Sequence, residues 1–173
     1  MAAATEIEGA RGINPAVDDG ARKEFRRALG QFATGVTAMT TLSPEGEPVG
    51  LTANSFNSLS IDPPLILWSI ARGTPSFDCF RVKDAFAVNV LSSDQESLAR
   101  QLAQSSVDKF RGVITREGLA GVPLIEGCVA YLECAVWARY PGGDHDIIVG
   151  HVQRVFNIGR SPLVFHGGAF RSF

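Results

Sequence analysis

Between Ala130 and Arg139 the chain alternates with a period of two. Ala130, Leu132, Cys134, Val136 and Ala138 fall on one face, and Tyr131, Glu133, Trp137 and Arg139 fall on the other. Side chains that repeat every second residue require an extended backbone, so this stretch reads as a strand with one buried face. Such a strand needs neighbours, and the sequence supplies them. Val36 to Leu42 is rich in β-branched residues, Ser43-Pro44-Glu45-Gly46 makes a turn, and Val49 to Phe56 returns as the hairpin partner. Leu65 to Ile70 is apolar on both faces, as a buried strand is. Phe86 to Leu91 and Ile147 to Ile158 add two more, with Pro141-Gly142-Gly143 turning the chain before the second. Leu163 to Phe165 and Ala169 to Phe173 flank His166-Gly167-Gly168 and predict a last hairpin.

Helical periodicity occurs in three places. Over residues 19–32, Phe25, Leu29 and Phe32 form one apolar stripe, with Arg22, Lys23, Arg26 and Arg27 elsewhere on the surface. Thr74-Pro75 predicts an N-cap and a first helical proline, ahead of a short helix holding Phe77 and Phe80. Ser93-Asp94-Gln95-Glu96 has the form of a capping box and opens a helix with Leu98 and Leu102 on one side. Phe110 to Gly127 is broken by glycines and carries no clear period. About seven strands and three helices that do not alternate as βαβ argue against a doubly wound sheet. They predict a mainly β fold, an antiparallel barrel with peripheral helices.

Composition narrows the possible functions. A chain of 173 residues that is 45% apolar has material for one core. Residues 1–18 are expected to be a flexible arm, and 19–173 the folded domain. Sixteen basic and 18 acidic residues give a net charge of −2, without the basic footprint of a nucleic-acid binder. No apolar run approaches the ~20 residues that span a bilayer, so no membrane partner is expected. The N-terminus lacks the basic and apolar regions of a secretory signal. Cys79, Cys128 and Cys134 include no C-x-x-C pair, which fits reduced thiols in a cytoplasmic protein better than a disulfide framework or a zinc site.

The sequence has no G-x-G-x-x-G, P-loop, G-x-S-x-G or H-E-x-x-H motif. The densest polar stretch runs from Thr52 to Ser60. Its hydroxyls and amides either face a planar, heteroatom-rich ligand or satisfy their own turn. Arg72-Gly73-Thr74-Pro75-Ser76 either receives a phosphate or is an ordinary helix start. Gly142-Gly143-Asp144-His145 places a histidine at a strand start beside carboxylates that can orient it. Only His151 and His166 accompany it, too few for a metal site, so no metal is expected. Phe165, Phe170 and Phe173 are either barrel core or one wall of a flat pocket.

These segments also stand in a recognisable order. Phe32-Ala33-Thr34-Gly35-Val36-Thr37 precedes Gly50-Leu51-Thr52-Ala53-Asn54-Ser55-Phe56, Ser58-Leu59-Ser60 and Pro63-Pro64. Phe86-Ala87-Val88-Asn89-Val90-Leu91, Gly143-Asp144-His145 and Pro162-Leu163-Val164-Phe165-His166-Gly167-Gly168 follow. The set resembles the small flavin reductases of two-component flavin-dependent monooxygenases, from Phe25 to Phe170. The resemblance implies a flavin-binding split β-barrel of Greek-key type, a homodimer, and reduction of FMN or FAD by NADH or NADPH for a separate monooxygenase. It implies that Thr52, Ala53, Asn54, Ser55 and Phe56, with Ser58 and Leu59, hold the isoalloxazine ring. Gly73, Thr74 and Ser76 would lie near the flavin phosphate, with Ala103 and Gln104 as a further flavin contact. His145, the one catalytic candidate, would meet the nicotinamide, as would the hairpin from Phe165 to Phe170. Relatives often carry tyrosine where this chain has Phe170, and the segment from Gln104 to Phe110 is short here. With Phe173 soon after the last strand, the regulatory domain appended in some larger relatives is not expected. Hydride transfer between two stacked rings needs positioning rather than a protein nucleophile, which suits a sequence without a triad. Two other readings use the same barrel. One is a flavin carrier or sensor without nicotinamide turnover. The other is a pyridoxal-phosphate-type oxidase, which the scattered Arg111, Arg116, Arg139 and Arg154 do not favour.

Overall fold

A computed structural model of the protein describes residues 6–105 and 108–171. In chain order the elements begin with a small hairpin, β1 (Glu6–Ile7) and β2 (Ala10–Arg11), then α1 (Asp19–Leu29) and β3 (Thr34–Gly35). They continue as β4 (Thr37–Leu42), β5 (Pro48–Ala53), β6 (Asn57–Ser60), β7 (Leu65–Ala71), α2 (Phe77–Val82), β8 (Ala85–Val90) and α3 (Glu96–Ala103). β9 (Thr115–Glu117), a 3-10 turn (Leu119–Gly121) and β10 (Pro123–Ile125) fill the glycine-broken stretch. β11 (Ala130–Gly142), β12 (His145–Asn157), β13 (Val164–His166) and β14 (Ala169–Arg171) complete the chain.

Seven strands form one antiparallel sheet in the order β5-β4-β8-β11-β12-β7-β6. Its first and last strands are consecutive in sequence, so the sheet must curl to join them. The Ser55 hydroxyl makes the join: it accepts from the Ser69 N–H at 3.1 Å and donates to the Ser69 carbonyl at 3.0 Å. Ser55 follows β5 and Ser69 lies in β7, so one side chain closes the seam. Inside the barrel Met39, Leu51, Ala53, Ile66, Trp68, Phe86 and Ile148 pack together. The Phe80 ring of α2 meets Trp68 edge-on at 5.1 Å and plugs one end. A second apolar layer, with Val36, Leu91, Ala99, Leu102 and Leu163, lies between the sheet and α3. Burying side chains of this size contributes about 1.5–3 kcal/mol each.

The long strands, the barrel and the last hairpin agree with expectation. Gly167 and Gly168 hold φ of +60° and +80°, the left-handed pair that a two-residue hairpin requires. Several local expectations need correction. The first helix stops at Leu29, because Gly30 caps it. Its stripe is not buried: Phe25 is 48%, Leu29 58% and Phe32 76% exposed. The strand expected to run to Phe56 ends at Ala53, and a separate β6 follows the Ser55 turn. Thr74 does not cap the second helix; its carbonyl accepts from the Phe77 N–H, and Ser76 takes the cap position. The expected capping box also fails. Gln95 occupies that cap, and its side-chain amide donates to the Glu126 carbonyl at 2.8 Å while its oxygen accepts from the Ser92 N–H. Trp137 is skipped where the register shifts between Val136 and Ala138, so it departs from the simple alternation of β11. The hairpin β1–β2 lies in the expected arm, with Ile7 72% exposed.

Candidate functional site

The strand β5 divides its residues between two faces. Val49, Leu51 and Ala53 point into the barrel, which leaves Gly50 and Thr52 on the outer face beneath α3. Thr52 donates its hydroxyl hydrogen to the Ala99 carbonyl of α3 at 2.6 Å. Its hydroxyl oxygen can therefore only accept from a ligand. A cavity of about 200 Å³ opens here, lined by Val36, Thr52, Asn54, Ala103, Phe165 and Phe170. Five of these six, all but Val36, are among the residues expected to contact flavin or nicotinamide. The walls are aromatic and aliphatic, with one hydroxyl and one amide at the edge and no charged lining residue. Phe165 and Phe170 meet edge-on at 5.3 Å across β13–β14.

Two residues back along the same outer face, about 7 Å away, lies Gly50. It lines a second cavity of about 490 Å³, with Ser76, Cys79, Asp108, Lys109 and Phe110. Gly50 lets the Phe110 ring pack close, since a Cβ would stand 3.0 Å from it. Ser76 is 8% exposed, and its hydroxyl oxygen is buried without a hydrogen-bond partner. Such a group calls for a missing acceptor or donor. Lys109 donates to the Leu102 carbonyl at 2.9 Å and the Gly50 carbonyl at 3.4 Å. Burial lowers its ammonium pKa from the ordinary lysine range. Burial likewise raises the Cys79 thiol, so this cysteine is not a thiolate nucleophile.

The β11–β12 hairpin carries the third group. Gly143 has φ of +72°, which makes the tight turn and presents Asp144 and His145. His145 Nδ1 lies 2.7 Å from the Asp144 carboxylate. The hydrogen bond and charge of His145 hold the Asp144 pKa below the usual carboxylate range. His145 pairs with Ala71, and the Asp144 carbonyl accepts from the Arg72 N–H at 3.0 Å. Arg72 also binds Asp146 at 2.8 Å. The hairpin is thereby docked on the Arg72-Gly73-Thr74 segment. Ser69 lies two residues before Ala71, so the Ser55 seam sets this group on the same barrel rim as the end of β5.

The expected residues thus separate by what they can do. Thr52, Asn54, Ala103, Phe165 and Phe170 share one cavity, and Ser76 lines the next. Gly73, Thr74 and His145 lie along the rim but line neither cavity. Ala53 is buried in the barrel core, Phe56 packs against that core, and the Ser55 hydroxyl is spent on the seam. Any contact from Ala53 would be through the backbone. Ser58 and Leu59 are exposed on the edge strand β6, and Gln104 is exposed at the end of α3. Sequence reading missed Lys109 and Phe110, whose stretch carries no clear period, and it took Gly50 only as part of the strand motif that leads to Thr52, not as a residue of the site. A further cavity of about 410 Å³, beside Tyr131, Phe156 and Arg160, contains no expected residue. No cluster of three or more metal-ligating side chains occurs among the described residues. No described helix is long and apolar enough to cross a membrane.

Comparison with known proteins identifies the family of the chain. Residues 29–173 match the flavin reductase like domain family. The chain is 44% identical to FMN reductase (NADH) SmoA of Agrobacterium fabrum, over 87% of this chain and 86% of that protein. It is 35% identical to the flavin-dependent monooxygenase reductase subunit HsaB of Mycobacterium tuberculosis, over 86% of this chain and 80% of that one. Among solved structures it is similar to the NADH:FAD oxidoreductase SgcE6 of Streptomyces globisporus, crystallised with NAD and FAD fragments. That likeness has a TM-score of 0.87 and 41% identity, covering 95% of this chain and 97% of that one. The chain belongs to the flavin reductase-like family.

Proposed function

We propose that this protein is an NADH-dependent flavin reductase that supplies reduced flavin to a separate monooxygenase component. The observation that carries the reading is the pair of cavities along the outer face of β5. One is flat-walled and uncharged, and suits a ring; the other holds a buried, unpartnered Ser76 hydroxyl and Lys109, and suits a phosphate. The residues therefore fit a flavin. A bound flavin would supply the hydride acceptor, and a reduced nicotinamide the donor. Val36 and Ala103 would shield the flavin ring from water, and Phe165 and Phe170 would cover the nicotinamide stacked on it. Thr52 accepts and Asn54 donates or accepts at the flavin edge. Ser76 and Lys109 hold the phosphate, near Gly73 and Thr74. His145, oriented by Asp144, meets the nicotinamide. No residue has to supply a nucleophile, so the chain's contribution is orientation and exclusion of water. The neutral ring cavity leaves a flavin free to depart as a product. FMN and FAD both suit this reading, as SmoA and SgcE6 are named for one each.

The protein acts as a homodimer in this reading. No side chain of α1 is buried, and Phe25, Leu29 and Phe32 await cover that a second copy would give. Three free cysteines support a reducing, cytoplasmic setting in this reading. The test is anaerobic: catalytic protein with excess FMN or FAD and NADH, followed at the visible flavin band. Bleaching of many equivalents is expected. Bleaching of one equivalent would make the flavin a prosthetic group, and none, with flavin bound, would make the protein a carrier or sensor. Light scattering on the purified protein checks the dimer.

A further inference from the structure

The proposed activity leaves Arg100 without a role, yet the structure gives its side chain a definite place. Arg100 stands on α3, three residues before Ala103, on the same side of the helix as that cavity wall. Its Nε and Nη2 donate to the Glu96 carboxylate at 2.9 and 2.7 Å. Its guanidinium carbon lies 4.9 Å from the centre of the Phe170 ring. That ring lines the flat cavity, and among the described residues its strand β14 pairs only with β13. A cation is thus held against the aromatic wall of the ring site.

An aromatic face attracts a cation through its quadrupole. When one guanidinium already lies over the ring, a second cation at the ring gains less and is repelled directly. Glu96 weakens the long-range field of Arg100, so the effect is confined to the ring that the guanidinium touches. The two forms of the nicotinamide differ in this property. The reduced ring is neutral, and the oxidised ring is a pyridinium cation. Resting on the reductase reading, with the nicotinamide against the hairpin of Phe165 and Phe170, we infer that Arg100 is a positioning residue that acts through Phe170 to disfavour the oxidised dinucleotide. The site then keeps the neutral donor and releases its charged product.

An exposed cation–π contact corresponds to about a two- to fivefold change in affinity. Arg100→Met keeps the length and helix propensity of the side chain and removes the charge. Flavin-loaded protein is titrated with NAD+ by calorimetry, since oxidised flavin and NAD+ do not react, and the KM for NADH is taken from flavin bleaching. The ratio of the NAD+ Kd to the NADH KM is expected to fall about threefold in Arg100→Met. Arg100→Lys should restore most of it. In a Phe170→Leu background the Arg100→Met change should leave the ratio where it was. An unmoved ratio with wild-type turnover overturns this inference alone. So does a parallel rise of both constants, which would make Arg100 a contact for the phosphates of the dinucleotide. Wild-type protein that fails to bleach flavin overturns the reductase reading and this inference with it.

Discussion

The hydroxyl of Thr52 lies 2.6 Å from the carbonyl oxygen of Ala99 and donates to it, fastening the outer face of β5 to α3. This bond sets the spacing between two walls of the ring cavity, since Ala103 follows one turn later on the same helix. Thr52→Val keeps the shape and removes the donor. Stability should fall by about 1 kcal/mol, and flavin affinity by about threefold as the helix loses its register on the strand. Urea unfolding and quenching of flavin fluorescence measure the two. Thr52→Ser, which retains the hydroxyl, should bind as the parent does; equal flavin affinity in the valine variant would remove Thr52 from the site.

Lys109 and Ser76 make a prediction about the phosphate. A Lys109→Met variant should lose FMN affinity about tenfold, the scale of one hydrogen bond to a charged group. Its affinity for riboflavin, which has no phosphate, should change little. The preference for FMN over riboflavin has a pH signature as well. It needs the protonated ammonium, so it is lost as pH rises through the Lys109 pKa. Burial lowers that pKa, so the loss in the free protein begins below the ordinary lysine range. A riboflavin affinity that falls in step with FMN would place Lys109 elsewhere in the flavin's environment.

His145 is held by Asp144, and the two should behave as one unit toward the nicotinamide. His145→Ala should raise the KM for NADH about three- to tenfold, as the loss of one hydrogen bond does. Asp144→Asn should raise it less, because the ring remains but loses its charged partner at Nδ1. The FMN Kd serves as the comparison. An FMN Kd that moves while the KM for NADH stays put would assign this pair to the flavin instead.

Gly150 shows how tightly the barrel is filled. A Cβ there would stand 2.5 Å from the Phe86 ring and 3.1 Å from the Cys134 side chain. Neither neighbour can retreat, since Phe86 is 2% exposed and packs against Trp68 at 5.9 Å. Gly150→Ala should therefore cost about 2 kcal/mol by overpacking. A lowered Tm is the readout, and a variant as stable as the parent would mean that the barrel interior yields.

The strands were legible because each long one buries a continuous face, as Leu65 to Ile70 does. The helix caps were not legible, because Ser, Asp and Gln serve caps and long-range bonds equally well. Gln95 reaches the Glu126 carbonyl 31 positions away, and no local pattern contains that bond. The candidate site was legible in part. Thr52, Asn54, Ala103, Phe165 and Phe170 come from four separate segments, and the order of motifs singled them out. What the order could not tell was direction: that Ala53 faces the core and that Ser55 is consumed in closing the barrel. Lys109 lies in an aperiodic stretch and was found only from the fold.

Glu133 shows the same limit and yields a pH prediction. The alternation of β11 assigns it to the face opposite the apolar stripe, yet its side chain is 2% exposed. Arg154 binds both carboxylate oxygens from β12, and the Leu119 N–H also donates to it, so one carboxylate ties the 3-10 turn to the sheet. Burial alone would raise the Glu133 pKa. The hydrogen bonds from Arg154 and Leu119, with the charge of Arg154, overcome it and hold the pKa below the usual range. A carboxylate with a depressed folded pKa adds stability above its unfolded pKa of about 4.3, and this is lost as pH falls through the folded value. Glu133→Gln should cost about 2 kcal/mol at pH 7, by loss of the charge-assisted bonds to a partly exposed arginine. The parent should lose that advantage on acidification, so the two Tm curves should converge below about pH 4. Parallel curves across that range would mean that Glu133 contributes through packing and not through its charge.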